Sequence, residues 1–137
     1  MFEPALTAVL DAGHMARFVA RGDSMHPAIR DGEAVYVERC KSPLLVGDVV
    51  LARAARGLTA HRIVRLQQRR GSVEIITRGD NCFRNDPPFT RGELVGRVVS
   101  VERNGRQMRL FDKPLTGFRL SLRTLMYWTA IFRRLRQ

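Results

Sequence analysis

With 137 residues, 45% hydrophobic and 27% charged, the chain has the length expected of one domain and a globular composition, which excludes a disordered chain. It carries 24 basic against 13 acidic residues, a net charge of +11, and apart from Lys41 and Lys113 every basic side chain in that count is arginine. No run approaches the roughly 20 apolar residues of a membrane span, and Cys40 and Cys82 show neither a CxxC spacing nor a zinc-like cluster with histidine.

Pro4 to Asp11 predicts a short helix with Leu6, Val9 and Leu10 on one side and Gly13 at its end. Glu3, Asp11 and His14 interrupt any apolar core of a secretory signal there. From Ala16 the pattern turns β-like. Arg17 to Arg21 leads into a turn at Ser24, Ala34 to Glu38 is a second strand, and the Gly47-Asp48 turn precedes Val49 to Arg53. Gly57 separates that strand from Thr59 to Leu66, and Gly71 opens another at Val73 to Thr77. Leu94 to Val101 and Gln107 to Phe111 flank Asn104-Gly105, a strong hairpin signal. The expectation is a mainly β, antiparallel domain over residues 1–112, without internal repeats.

Residues 113–137 differ. Leu122, Leu125, Phe132 and Leu135 recur at helical spacing, Met126, Trp128 and Ile131 widen the apolar side, and Arg119, Arg123 and Arg134 fall on another face. The pattern predicts a basic amphipathic C-terminal helix from Thr116 to Gln137. Two fates fit it: lying in an anionic membrane surface, or packing on the β domain as a terminal helix. The arginine excess attracts phosphate in lipid or nucleic acid, although the arginine bias of a GC-rich genome yields the same composition.

Chemistry concentrates at three places. Arg21-Gly-Asp-Ser-Met-His-Pro27 puts Ser24 on a glycine-led turn, His61 stands in the β-type segment Ala-His-Arg-Ile-Val, and Gly79-Asp-Asn-Cys-Phe-Arg-Asn-Asp86 is a polar loop. A serine hydroxyl is a weak nucleophile that needs a base, and the base needs an orienting group. An imidazole, with an ordinary pKa of about 6.5, is mostly neutral at pH 7 and takes a proton through one ring nitrogen while the other is held by a carboxylate. Asp86 or Asp80 can supply that carboxylate, the other then bracing the loop. Gly22 allows close backbone approach, so amides around Gly22 and Ser24 are candidates to hold a tetrahedral oxyanion. This chemistry calls for no metal and no cofactor.

Gly22-Asp-Ser-Met-His-Pro27, followed by Ile29-Arg-Asp-Gly-Glu33, resembles the nucleophile box of type I signal peptidases. Gly47-Asp-Val-Val50, Arg78-Gly-Asp-Asn81 and Gly96-Arg-Val98 resemble that family's later boxes in order, so the resemblance runs from Phe18 to Val101. In the commonest bacterial members a lysine is the base. Here the matching strand carries His61, and the chain is similar to the branch typified by the catalytic subunit of the endoplasmic-reticulum signal peptidase complex. The resemblance implies a signal-peptidase-like β fold with Ser24 as nucleophile, His61 as base, Asp86 as the acid and Asp80 in the loop. It further implies an extended substrate added as a strand beside the Ser24 strand, with shallow pockets for small side chains. Glu33, Cys82 and Asn85 depart from the family's usual residues, and with no apolar run of spanning length the expectation is a protein without the family's membrane anchor. The expected enzyme is therefore cytoplasmic or peripheral to the membrane, and its expected partner is a protein or peptide carrying a leader segment.

Two other classes compete. LexA-type repressors share the scaffold and cleave themselves, but they use lysine as base and carry a DNA-binding module ahead of the peptidase domain, for which the stretch before Ser24 is too short. A decayed β module binding nucleic acid or lipid would use the charge, yet the β region lacks the basic pattern interleaved with aromatics that a base-stacking surface needs, so nucleic acid is the weaker partner. Taken singly, Ser24 and both aspartates are ordinary turn residues, His61 an ordinary strand histidine, and Cys82 a small packing residue. His26 stands too close to Ser24 in the chain to serve as its base.

Overall fold

A computed structural model describes residues 2–110. The expected C-terminal helix, and with it residues 113–137, lies outside the described residues. A helix, α1 (Phe2–Asp11), precedes seven strands: β1 (Ala16–Val19), β2 (Ala34–Glu38), β3 (Val49–Ala54), β4 (Gly57–Arg69), β5 (Ser72–Arg78), β6 (Leu94–Arg103) and β7 (Arg106–Arg109). Among the described residues no helix is long and apolar enough to cross a membrane.

α1 ends where the sequence signals it. Gly13, at φ +86°, closes a Schellman cap in which its N–H reaches Leu10 O at 3.0 Å and the His14 N–H reaches Val9 O at 3.2 Å. Leu6 and Leu10 face inward and are buried.

All strand pairings are antiparallel, in the order β1-β2-β6-β3-β4-β5, with β7 added to β6. β6 pairs β3 through its first half and β2 through its second. The expected Asn104-Gly105 hairpin joins β6 to β7, with both residues at positive φ. A second such turn, Arg70-Gly71, joins β4 to β5. It went unrecognised in the sequence because arginine rarely adopts φ +51°. Consequently β4 and β5 run on past Leu66 as a ribbon whose polar residues, Gln67, Gln68 and Arg69, resemble a loop. The first strand is shorter than expected. At Ala20 the chain leaves the ladder, its N–H bonded to Glu33 O and its carbonyl accepting the Gly32 N–H, both at 2.8 Å.

Apolar side chains are buried on two sides of the sheet. Leu6, Leu10, Met25, Ile29, Val35, Val37, Val49, Leu51, Val98 and Val101 form one cluster; Leu44, Val50, Ile63 and Ile75 form the other. Met25 and Ile29 belong to the segment that follows Ser24. Burying each contributes roughly 1.5–3 kcal/mol, which anchors that segment in the core although it has no regular structure.

Candidate active site

Ser24 lies in the irregular segment after β1. Gly22 takes φ +87°, a conformation strained for any other residue, and its N–H donates to Asp31 Oδ1 at 2.8 Å. A β-carbon at Gly22 would meet nothing within 4 Å, so this glycine serves the turn's conformation and not a close approach. Its amide is thus engaged by the Asp31 carboxylate in this structure. At the segment's far side, Arg103 Nη2 donates to Pro27 O at 3.0 Å and to Glu33 Oε2 at 3.0 Å. Hydrogen bonding from Arg103 holds the Glu33 carboxyl below the usual carboxylate value and raises the guanidinium's own pKa in return. Glu33 and Arg103 thus bolt the Ser24 segment to the end of β6.

The loop after β5 supports Ser24 from the other direction. The Asn81 N–H donates to Ser24 O at 2.8 Å, and its side-chain amide donates to Asp23 O at 3.1 Å. The Asp80 N–H points at Met25 Sδ, 3.4 Å away. β1 and β5 are the outermost strands in the sheet order, so these bonds tie its two ends together through the loops that follow them.

His61 sits on β4 opposite Val50, on the face it shares with Ile63, and is buried. Its ring bridges two partners: Nε2 lies 3.1 Å from Ser24 Oγ and Nδ1 lies 2.6 Å from Asp86 Oδ2. An ionised carboxylate only accepts, so Nδ1 is the nitrogen that donates to it, and in a neutral ring Nε2 is then the one left to accept from the serine hydroxyl. Asp86 is held by Thr77, whose hydroxyl donates to Oδ2 at 2.7 Å and whose carbonyl accepts the Asp86 N–H at 2.8 Å.

Asp80 is not on the histidine. Arg62, facing away from His61 on the same strand, takes its carboxylate in a two-pronged pair, Nε to Oδ1 at 2.8 Å and Nη2 to Oδ2 at 2.7 Å. Arg62 Nη1 also donates to Gly47 O at 2.8 Å. The Arg62 side chain is only 8% exposed, so this pair clamps the loop after β5 to the turn before β3. The two aspartates left open by the sequence thus have separate partners.

Of the other candidates, His14 and His26 are exposed, and neither bonds to Ser24 among the described residues. Cys82 is half-buried, its Sγ 3.9 Å from Ser24 O; neither it nor Cys40 is in a disulfide. Burial raises the Cys40 thiol pKa. Among the described residues no group of three or more His, Cys, Asp or Glu side chains is arranged to hold a metal ion. Sequence reasoning missed Thr77 and Arg62. The available signal for Arg62 was strand alternation, since a residue next to an inward-facing histidine that still falls between apolar neighbours needs a buried acid. For Thr77 there was none beyond a hydroxyl in an apolar strand.

A family model described as Peptidase S24-like matches residues 3–99, a span that includes Ser24, His61, Thr77 and Asp86. No curated protein matches the chain.

Proposed function

Because the chain belongs to the Peptidase S24-like family, a family of serine peptidases, we propose that it is a serine endopeptidase whose nucleophile is Ser24, whose base is His61 and whose orienting acid is Asp86. The observation that carries this reading is the His61 ring standing between Ser24 Oγ at 3.1 Å and Asp86 Oδ2 at 2.6 Å. In the proposed reaction Ser24 Oγ attacks the scissile carbonyl carbon while His61 Nε2 removes the hydroxyl proton. The imidazolium then gives that proton to the leaving amine, the C–N bond breaks, and an acyl-enzyme on Ser24 remains. Water, deprotonated by His61, releases the acyl group and restores the hydroxyl. Asp86 keeps the Nδ1 proton in place and offsets the charge on the imidazolium. Among the described residues no acceptor engages the Ser24 amide, which leaves it to donate to the developing oxyanion.

The finer proposal is cleavage in the manner of a signal peptidase, of the branch that uses histidine. Its support is the order of boxes from Gly22 to Val98 together with histidine at the base position. The substrate proposed is an extended leader segment of a protein or peptide, met in the cytoplasm or at a membrane surface. A second reading, self-cleavage as in LexA-type repressors, is favoured by the Peptidase S24-like match.

A fluorophosphonate probe tests the assignment. Wild type labels covalently, whereas Ser24→Ala and His61→Ala do not; equal labelling of Ser24→Ala ends the proposal. Incubating the purified chain at two concentrations separates the two readings. Self-cleavage within one molecule gives a fragment at a rate independent of concentration, and a chain that stays intact while labelling with the probe acts on other proteins.

A further inference from the structure

Asp86 stands in a loop that offers it little local support. Its neighbours Phe83, Arg84, Asn85, Pro87 and Pro88 are exposed, and no helix or strand contains it. Two attachments to β5 hold this stretch. Phe89 exchanges both backbone hydrogen bonds with Ile75, at 2.7 and 3.0 Å, and Asp86 accepts one bond from the Thr77 hydroxyl and donates its N–H to the Thr77 carbonyl. Only the second attachment includes the carboxylate.

Thr77 is 4% exposed and lies directly across from Ile63 on β4, on the face that carries His61. A buried hydroxyl requires a partner. Here the partner is the same carboxylate oxygen that accepts the His61 Nδ1 proton, Asp86 Oδ2, at 2.7 Å from Thr77 Oγ1 and 2.6 Å from the ring. The carboxylate as a whole is about a third exposed, at 33%, so water is available to turn it outward. The threonine hydroxyl opposes that rotation, and a bond from a hydroxyl to an ionised carboxylate is of the stronger, charge-assisted kind.

We infer that Thr77 is a positioning residue of the peptidase: its hydroxyl and carbonyl hold Asp86 so that one carboxylate oxygen faces His61 Nδ1. The inference rests on the serine-peptidase reading above. Thr77 touches no reacting atom, and its effect passes entirely through Asp86. A Thr77→Val protein keeps the shape of the side chain and loses the donor. A Thr77→Ser protein keeps the donor and loses a methyl group.

The test is the rate of fluorophosphonate labelling at pH 7, resolved into probe affinity and maximal labelling rate, with thermal melting recorded for each variant. Thr77→Val lowers the maximal rate about 10- to 100-fold, the range for a lost support of a reacting group, and leaves probe affinity unchanged. Thr77→Ser labels close to wild type. In an Asp86→Ala background Thr77→Val changes the rate less than twofold, because nothing remains for the hydroxyl to hold. A further loss in that background of the same size as in wild type overturns the inference, as does a wild-type rate for Thr77→Val. If Thr77→Val does not fold, Thr77→Ser and Thr77→Ala decide: a fast serine variant and a slow alanine variant support the role, and equal rates overturn it. Labelling of Ser24→Ala at the wild-type rate would instead refute the serine-peptidase reading itself, so the two failures are distinguishable.

Discussion

Gly79 is pressed against Ser24: a β-carbon at 79 would stand 2.6 Å from the Ser24 carbonyl oxygen, 2.7 Å from Cys82 Sγ and 3.1 Å from His61 Nε2. Its φ is ordinary, so the requirement for glycine here is space alone. The obstructing atom nearest to it is backbone, which cannot swing aside as a flexible side chain does. Gly79→Ala therefore pushes the Ser24 segment and the imidazole apart. Overpacking of this kind costs about 1–3 kcal/mol of stability, and displacement of reacting groups by about 1 Å lowers reactivity on the order of 100-fold. Probe labelling set against a chemical-denaturation curve checks both. A Gly79→Ala protein that labels at the wild-type rate contradicts this account.

The two loop aspartates are expected to fail differently. Asp86→Asn leaves the fold near wild-type stability and lowers probe labelling about 1,000-fold or more, because an amide facing Nδ1 favours the wrong ring tautomer. Asp80→Asn removes the charge facing the buried Arg62 and costs up to about 3 kcal/mol, with the smaller effect on labelling per folded molecule. Urea midpoints and labelling rates on both variants separate the roles. The reverse pattern would exchange them.

Stability at low pH is expected to report on Glu33. Its carboxyl is held below the ordinary value of 4.5, chiefly by the hydrogen bond from Arg103, so folding favours the ionised form. That contribution is complete above the ordinary carboxylate value and fades as pH falls through the lower, folded one. The Tm difference between wild type and Glu33→Gln should stay constant from pH 7 to about 5 and close in more acid solution. A gap that widens on acidification would reverse the sign assigned to this pair.

Burial keeps the Cys40 thiol protonated above its ordinary value of 9.0. Iodoacetamide should therefore modify Cys40 slowly at pH 8 and faster as pH rises further, since the thiolate is the reacting species. Peptide mass mapping after timed alkylation reads the result. Rapid modification at pH 8 counts against a buried thiol.

Much of the β framework was legible because antiparallel strands and their turns leave local marks. Asn104-Gly105 announces a hairpin, and the apolar run of Val49, Val50 and Leu51 after the Gly47-Asp48 turn announces a strand, which the structure buries on both faces. Where marks were missing, the expectation fell short. Arg70 sits at positive φ in a turn that usually takes asparagine or aspartate, and the polar ends of β4 and β5 are paired with each other although they cover no core. At the site, residue types and their order were enough to single out Ser24, His61 and the loop from Gly79 to Asp86. They were not enough to tell Asp80 from Asp86. That distinction depends on Arg62 facing one way along β4 and His61 the other, and on Thr77 lying opposite Ile63, relations that exist only once the strands are in register.

The tie between the loops that follow the first and fifth strands has a consequence for biosynthesis. β3, β4 and β5 form from neighbouring hairpins, whereas β2 must find β6 across most of the domain, a slower kind of encounter. On the proposed function, hydroxyl and imidazole meet only when the last of these encounters is complete. A copy still emerging from the ribosome, or one torn open later by heat, is chemically harmless to the proteins around it.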